Sequence, residues 1–358
     1  MNELKSPHFA RRIWRSLWRF RGRVRNQLIF RLGTRRRNTE THSSRHAELF
    51  IEDGTFHRYL YPLAKSLESG GYNVRVTISS KAVSAADVYV RLLLDDGLIH
   101  RVATQSGHPN RMTLHDESGV RTMAFDADYF GKSTAPRLPM PMHPLMYSRS
   151  LVHQASGLRA NRERQIQVLF AGSQGSSDRL LKERFGVIPR EDVLTHLQQS
   201  ARVEHVLLKH HRELSHQYPD RVLLAIREVC DIPQDELLQT LSRARFFLAL
   251  PGWIMPPAHN LTECMAVGAV PILQYGSLLP QPLTDGVNCL VYRSLSHLEE
   301  VILFALQMSA AEAEIMSRQV IEYYDAYLSP EAVADAVRNC TSPTIGLVAE
   351  ETSVSLLQ

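Results

Sequence analysis

The chain contains no run of eighteen apolar residues, so no stretch of it is long and apolar enough to cross a bilayer as a helix. Its start lacks an uninterrupted apolar segment followed by a small-residue cleavage site, which argues against a secretory leader. Cysteine is scarce. Cys230, Cys264, Cys289 and Cys340 are the four in 358 residues, and no two form a close pair. That argues against a disulfide framework or a zinc site and suits a reducing cytosol. No tandem repeat is visible, and nothing after residue 45 is of low complexity. The length suffices for two domains, each with its own core.

What the sequence does have is an uneven charge. Residues 1–40 hold twelve Lys or Arg against Glu3 and Glu40, so this segment carries +10 and the remainder −6 of the net +4. Within it, residues 8–32 place Ile13, Leu17, Phe20, Val24 and Leu28 at helical spacing, with Trp14 and Trp18 flanking the stripe. A basic amphipathic helix with boundary tryptophans suits an anionic membrane surface, each basic residue near it contributing about 1 kcal/mol. The same pattern serves contact with a partner protein or a solvated extension. The expectation is an arm and linker over 1–45.

From Ala47 the pattern turns to alternating strands and helices. A strand over 48–52, a loop through Asp53 and His57, a helix over 59–69 ended by Gly70-Gly71, and a strand over 73–78 make one βαβ unit. One helix is expected over 84–94, then three strand-like runs over 99–104, 111–115 and 121–125. Four prolines between Ala135 and Pro144 read as an interdomain connection. A second series opens with an apolar strand over 166–171, then Gly172-Ser173 in a small-residue loop, then Arg179 and Lys182 on a helix. Such a loop followed by cations can cradle a diphosphate. Further on, Phe246 to Leu250 reads as a buried parallel strand. Pro251-Gly252 breaks it, and a proline-containing loop runs to His259. Asn260 at the N-cap and Glu263 three residues on fit a reciprocal cap on a short helix ending at Gly268. The next strand starts at Val270.

This last stretch, preceded by IPQDELLQTLSRARFFLALPG and followed by DGVNCLVY, resembles the donor-binding element of GT-B glycosyltransferases, closest to exostosin-like and related bacterial polysaccharide enzymes. The opening match is LAKSL followed by Gly70-Gly71-Tyr72 after His57. The resemblance implies an α/β fold of two Rossmann-like domains facing a cleft. The acceptor domain spans 46–155 and the donor domain 156–318. A helix at 319–340 returns to the first domain, and a mobile tail covers 341–358. It implies a nucleotide-sugar donor (UDP- or GDP-sugar) with no further cofactor and no metal required, and a glycan or lipid-linked acceptor in surface polysaccharide synthesis. The setting it implies is cytoplasmic, peripheral at the inner membrane face, without a nucleic-acid partner.

On that reading Glu263 holds the ribose hydroxyls, though its spacing from Asn260 predicts a plain capping glutamate equally well. Asn260, Leu261, Gly252, Gly172, Ser173, Arg179 and Lys182 complete the donor set. His57 is the candidate base, with Asp53 second, because a histidine titrates near neutrality and the site lies past the end of a strand. Two other readings stay open. One is a catalytically silent sugar- or nucleotide-binding scaffold. The other is a metal-dependent GT-A enzyme, since Asp126 and Asp128 form an Asp-x-Asp that can hold a divalent cation against a diphosphate.

Overall fold

The structure, a computed structural model, describes residues 25–30, 44–104, 108–160, 164–175 and 179–357. The arm's remaining residues lie outside these. Residues 25–30 are helical, and their burial departs from the expected stripe. Phe30 and Asn26 are buried while Leu28 is exposed. Asn26 is held because its Nδ2 donates to the Ala86 carbonyl at 3.0 Å and its Oδ1 accepts from Arg91 at 2.6 Å.

The first lobe begins with β1 (His46–Ile51), whose alternate residues Ala47, Leu49 and Ile51 are buried. Helix α1 (His57–Ser69) presents Leu60, Leu63, Ala64 and Leu67 to the core and stops at Gly70 and Gly71, the latter at φ 84°. Strand β2 (Asn73–Ser79) runs parallel to β1, with Leu49 opposite Val76 and Ile51 opposite Ile78. The helix expected over 84–94 is instead two, α2 (Ser80–Ala85) and α3 (Val88–Asp95). Asp87 between them is extended, and its carboxylate caps the Tyr89 and Val90 amides at 2.9 and 3.1 Å. A side chain that satisfies two orphan donors starts a new helix there.

Strand β3 (Ile99–Ala103) adds in parallel to β2, whereas β4 (Arg111–Asp116) and β5 (Gly119–Asp126) form an antiparallel hairpin beside β1. The first sheet is therefore mixed, in the order β5-β4-β1-β2-β3, with a strand from the end of the chain, Thr344–Gly346, added beyond β5.

The connection through the prolines leads to the short helix α4 (Pro144–Ser148) and then to the second lobe. Its elements are β6 (Ile166–Gly172), α5 (Arg179–Phe185), α6 (Arg190–Gln199), β7 (His205–Leu207), β8 (Val222–Ile226), α7 (Gln234–Ser242), β9 (Ala244–Leu248), α8 (His259–Ala266), β10 (Val270–Leu273), β11 (Leu290–Val291), α9 (Leu295–Gln307) and α10 (Ala310–Tyr323). The sheet is parallel throughout, in the order β11-β10-β9-β6-β8-β7. Its central strands are covered on both faces, so they read in sequence as unbroken apolar runs. Arg164 braces the lobe from below. Its guanidinium donates to the carbonyls of Ala244 at 2.8 Å and Val267 at 2.7 Å, and Ser317 Oγ donates to the Gly268 carbonyl at 2.7 Å.

The chain then crosses back. Helix α11 (Pro330–Asn339) packs on α1, with Ala334 against Gly70. The tail expected to be mobile is built into the first lobe. Strand β12 (Thr344–Gly346) pairs in parallel with β5, and α12 (Glu351–Ser355) follows. Ile345, Leu347, Val348 and Val354 are buried there, which supplies the apolar contact that holds the tail down. Gly346 lies against Arg137 and Pro136, so the last strand also grips the connection between the lobes. No helix among the described residues is long and apolar enough to cross a membrane.

Candidate functional site

The parallel strands of the second lobe end at a cleft of about 460 Å³ whose opposite wall is contributed by α1, the proline connection and the tail. Gly172 at the end of β6 and Ser173 just beyond it, Arg227 beyond β8, Gly252 and Trp253 beyond β9, and Asn260 and Glu263 of α8 form one side. Arg58, Tyr59, Met140, His143 and Glu350 face them. A cleft past the carboxyl ends of parallel strands is where open α/β sheets bind ligands.

Helix α8 begins two residues earlier than the sequence pattern indicates. Ala258 occupies the N-cap with extended backbone, His259 is the first helical residue, and no side chain caps the helix. The reciprocal cap between Asn260 and Glu263 therefore does not form. Glu263 is 2% exposed, and its carboxylate accepts from the backbone N–H of His143 at 3.0 Å. Among the described residues no Lys or Arg forms an ion pair with it. Burial without a paired cation pushes its carboxyl up to about 7. Asn260 turns its side chain beside Gly172 and Arg190, and its buried Oδ1 has no hydrogen-bond partner among the described residues. An orphaned acceptor at a cleft wall is a position that a ligand donor completes.

Arg190 is the cation at the floor of this side. It is 6% exposed, at the start of α6. Its Nε donates to the Pro251 carbonyl at 2.9 Å, and its Nη1 donates to Ser173 at both the carbonyl, 3.1 Å, and the hydroxyl, 3.2 Å. The guanidinium thus joins the loop after β6 to the loop after β9, and burial lowers its basicity. It forms no ion pair among the described residues, and the Glu228 carboxylate acts on it only through space, which burial outweighs. Trp253, exposed on the second loop, donates from Nε1 to the same Ser173 hydroxyl at 3.2 Å. That loop folds tightly, since Gly252 donates to the Pro256 carbonyl and a Cβ on it would stand 2.6 Å from the Met255 carbonyl.

Across the cleft, Arg58 pairs with Glu350 at 2.8 Å and lies 5.4 Å from the centre of the Tyr89 ring. His143 and His259 meet at the lobe boundary, their rings 5.4 Å apart and nearly perpendicular. Desolvation, with Arg58 next in importance, moves His143 down to about 4 and His259 well below the usual imidazole value. Both rings are neutral at pH 7.

The structure brings together Glu263, Asn260, Gly252, Gly172 and Ser173 of the anticipated donor set. Leu261 is buried in the core behind them, Lys182 is exposed on α5 away from the cleft lining, and the side chain of Arg179 lies outside the described residues. His57 and Asp53 are elsewhere. His57 is the first residue of α1 rather than a loop residue, and its Nδ1 faces the Asp87 carboxylate at 3.5 Å. Asp53 lines a separate hollow of about 500 Å³ at the end of β1, with Lys81 and Asn110. Burial alone would raise its carboxyl, but hydrogen bonds from Thr55 and Asn110 hold it below its ordinary value. Asp126 and Asp128 organise the turn after β5. Asp126 accepts from the Asp128 amide, and Asp128 accepts from the amides of Lys132 and Ser133, all near 3.0 Å. Neither lines the cleft. Arg58, His143 and Arg190 went unread in the sequence because each depends on a partner far along the chain, and His259 was read only as the end of the loop from Trp253. The Pro189 and Pro144 beside two of them mark only helix starts.

No family model matches the sequence, and no curated protein matches it. Among solved structures, the N-terminal domain of Candida albicans trehalose-6-phosphate phosphatase is similar at 10% identity over 82% of this chain and 69% of that one, with a TM-score of 0.34. At that score and identity the likeness carries no functional argument.

Proposed function

We propose that the protein is a GT-B-type glycosyltransferase that moves a sugar from a nucleotide-sugar donor to a glycan or lipid-linked acceptor. The observation that carries this reading is Glu263. It is a buried carboxyl on the helix after β9, facing a nucleotide-sized cleft with no cation paired to it. A carboxyl so placed accepts hydrogen bonds from a pair of neighbouring hydroxyls, as on a ribose. The Oδ1 of Asn260, unpartnered among the described residues, and the guanidinium of Arg190, which forms no ion pair among them, supply an acceptor and a cation nearby, which suits a polar ligand ending in a diphosphate. Glycosyl transfer needs that ligand held and oriented before an acceptor hydroxyl attacks.

The basic segment 8–32 suits attachment to an anionic membrane, where a lipid-linked acceptor is presented on the cytoplasmic side. Sedimentation with anionic vesicles, lost on deleting residues 1–40, tests that part.

For the chemistry, thermal shifts with UDP-, GDP-, CMP- and dTDP-sugars are the direct measurement. One of them raises Tm, and Glu263→Ala removes the shift. Failure of all four to bind would overturn the reading.

A further inference from the structure

We propose that the Nε2 atom of His259 is the proton acceptor for the attacking hydroxyl, with His143 beside it as a hydrogen-bond donor. This rests on the glycosyl-transfer reading above and replaces His57 and Asp53, which do not line the cleft.

The assignment follows from what each ring nitrogen touches. Nδ1 of His259 lies 2.8 Å from the Pro141 carbonyl oxygen. A carbonyl only accepts, so Nδ1 carries the proton and the lone pair of the neutral ring sits on Nε2. His143 is the reverse. Its Nδ1 accepts from the Leu145 amide at 3.3 Å, so its Nε2 carries the proton. Both rings line the cleft shared with Glu263 and Asn260. Two neutral imidazoles with opposite tautomers thus stand at the lobe boundary, one ready to take a proton and one ready to donate a hydrogen bond.

The surroundings of His259 are fixed from several elements. Tyr59 of α1 lies 6.0 Å away ring to ring, and Pro141 of the connection holds Nδ1. Arg58 of α1, Arg227 beyond β8, Glu263 of α8 itself and Glu350 of the tail line the same cleft. Desolvation is the larger cause disfavouring an imidazolium at His259, and the Arg58 charge is the next. A diphosphate entering beside Arg58 cancels part of that repulsion, so the ring becomes more basic when the donor is bound.

The step balances without another reactant. The acceptor O–H bond breaks and its proton goes to Nε2. The acceptor oxygen forms a bond to the anomeric carbon. The bond from that carbon to the diphosphate oxygen breaks, and its electron pair leaves with the nucleotide diphosphate. Water in place of the acceptor gives hydrolysis of the donor by the same route.

The experiment uses the full chain and the nucleotide sugar that raises Tm most, measuring donor binding and hydrolysis from pH 5 to 9. His259→Gln is expected to bind the donor within about threefold of the wild type. Its kcat falls about a hundredfold or more, and the acid limb of the pH–rate profile shrinks to the part that Glu263, with its carboxyl near 7, contributes. His143→Gln retains the acid limb. Unchanged kcat with an intact acid limb in His259→Gln overturns the assignment while leaving the glycosyl-transfer reading in place. Donor binding without hydrolysis or transfer by the wild type overturns it in favour of a binding scaffold. Absence of any donor binding overturns both. Should His259→Gln fail to fold, long-range ¹⁵N–¹H spectra of the wild type decide, since a proton found on Nε2 of His259 at pH 7 contradicts the proposal.

Discussion

The backbone amide of His143 donates to the carboxylate of Glu263 at 3.0 Å, across 120 residues of sequence and from one side of the cleft to the other. A single polar contact thereby ties the proline connection to the helix that carries the candidate donor site. It also explains why Glu263 does not cap its own helix.

The first prediction concerns Glu263 and pH. Burial raises its folded value to about 7, above the 4.5 of an ordinary glutamate. The stabilising contribution of the protonated form is present below the unfolded value and is lost as pH rises through about 7. Glu263→Gln keeps an acceptor for the His143 amide and cannot ionise. Its stability relative to wild type should therefore improve from pH 5 to pH 8, by up to about 3 kcal/mol. Urea denaturation at several pH values checks it. A constant difference across that range removes the buried-carboxyl argument.

Arg190 should be more than a charge. Arg190→Met keeps the bulk but leaves the Pro251 and Ser173 carbonyls without their donor, at about 1–3 kcal/mol for each buried acceptor left unpaired. Arg190→Lys keeps the charge and loses the fork that spans both loops. Both variants should lower Tm, and both should weaken nucleotide-sugar binding at least tenfold. If Lys restores binding fully, the joining of the two loops is not what matters.

Gly268 is a purely structural test. It sits at φ 77°, and a Cβ there would stand 2.8 Å from Arg164 Nη2, Ile321 Cδ1 and Ser317 Oγ. Gly268→Ala should cost about 2–4 kcal/mol through backbone strain and crowding of the Arg164 brace. Calorimetry reads this as a lower Tm. A loss under about 0.5 kcal/mol would mean the neighbours yield freely.

Removal of residues 344–358 tests the tail. It exposes β5 as an edge and withdraws Ile345, Leu347, Val348 and Val354 from the core. At about 1.5–3 kcal/mol for each large side chain, the first lobe should lose several kcal/mol and unfold before the second. Two separated transitions on heating are the expected signature, and an unchanged single transition would refute it.

The second sheet was largely legible because strands covered on both faces announce themselves as apolar runs, as in VLFA and RFFLAL. The position of α8 was legible to within two residues for the same reason. Its cap was not, because Asn260 and Glu263 have partners or vacancies set by tertiary contacts rather than by their spacing. The hairpin of β4 and β5 showed its strands but not its direction, since the pairing with β1 is long-range. Strand β12 hid in three residues, Thr344-Ile345-Gly346, whose pattern is indistinguishable from a loop until β5 is beside it. Cleft residues such as Arg58, Arg190 and His259 carry no local signal at all. Each acquires its role only from a group brought in by another element.

Strand β12 also sets a chronology for biosynthesis. The edge of β5 leaves the ribosome some two hundred residues before the strand that covers it, with the entire second lobe in between. At ordinary elongation rates that is roughly 10–40 s during which a half-finished sheet offers unpaired amides and carbonyls to whatever is nearby. The first lobe to be synthesised is therefore the last to be sealed, and nascent chains stalled before residue 344 are the ones most exposed to mispairing and to chaperone capture.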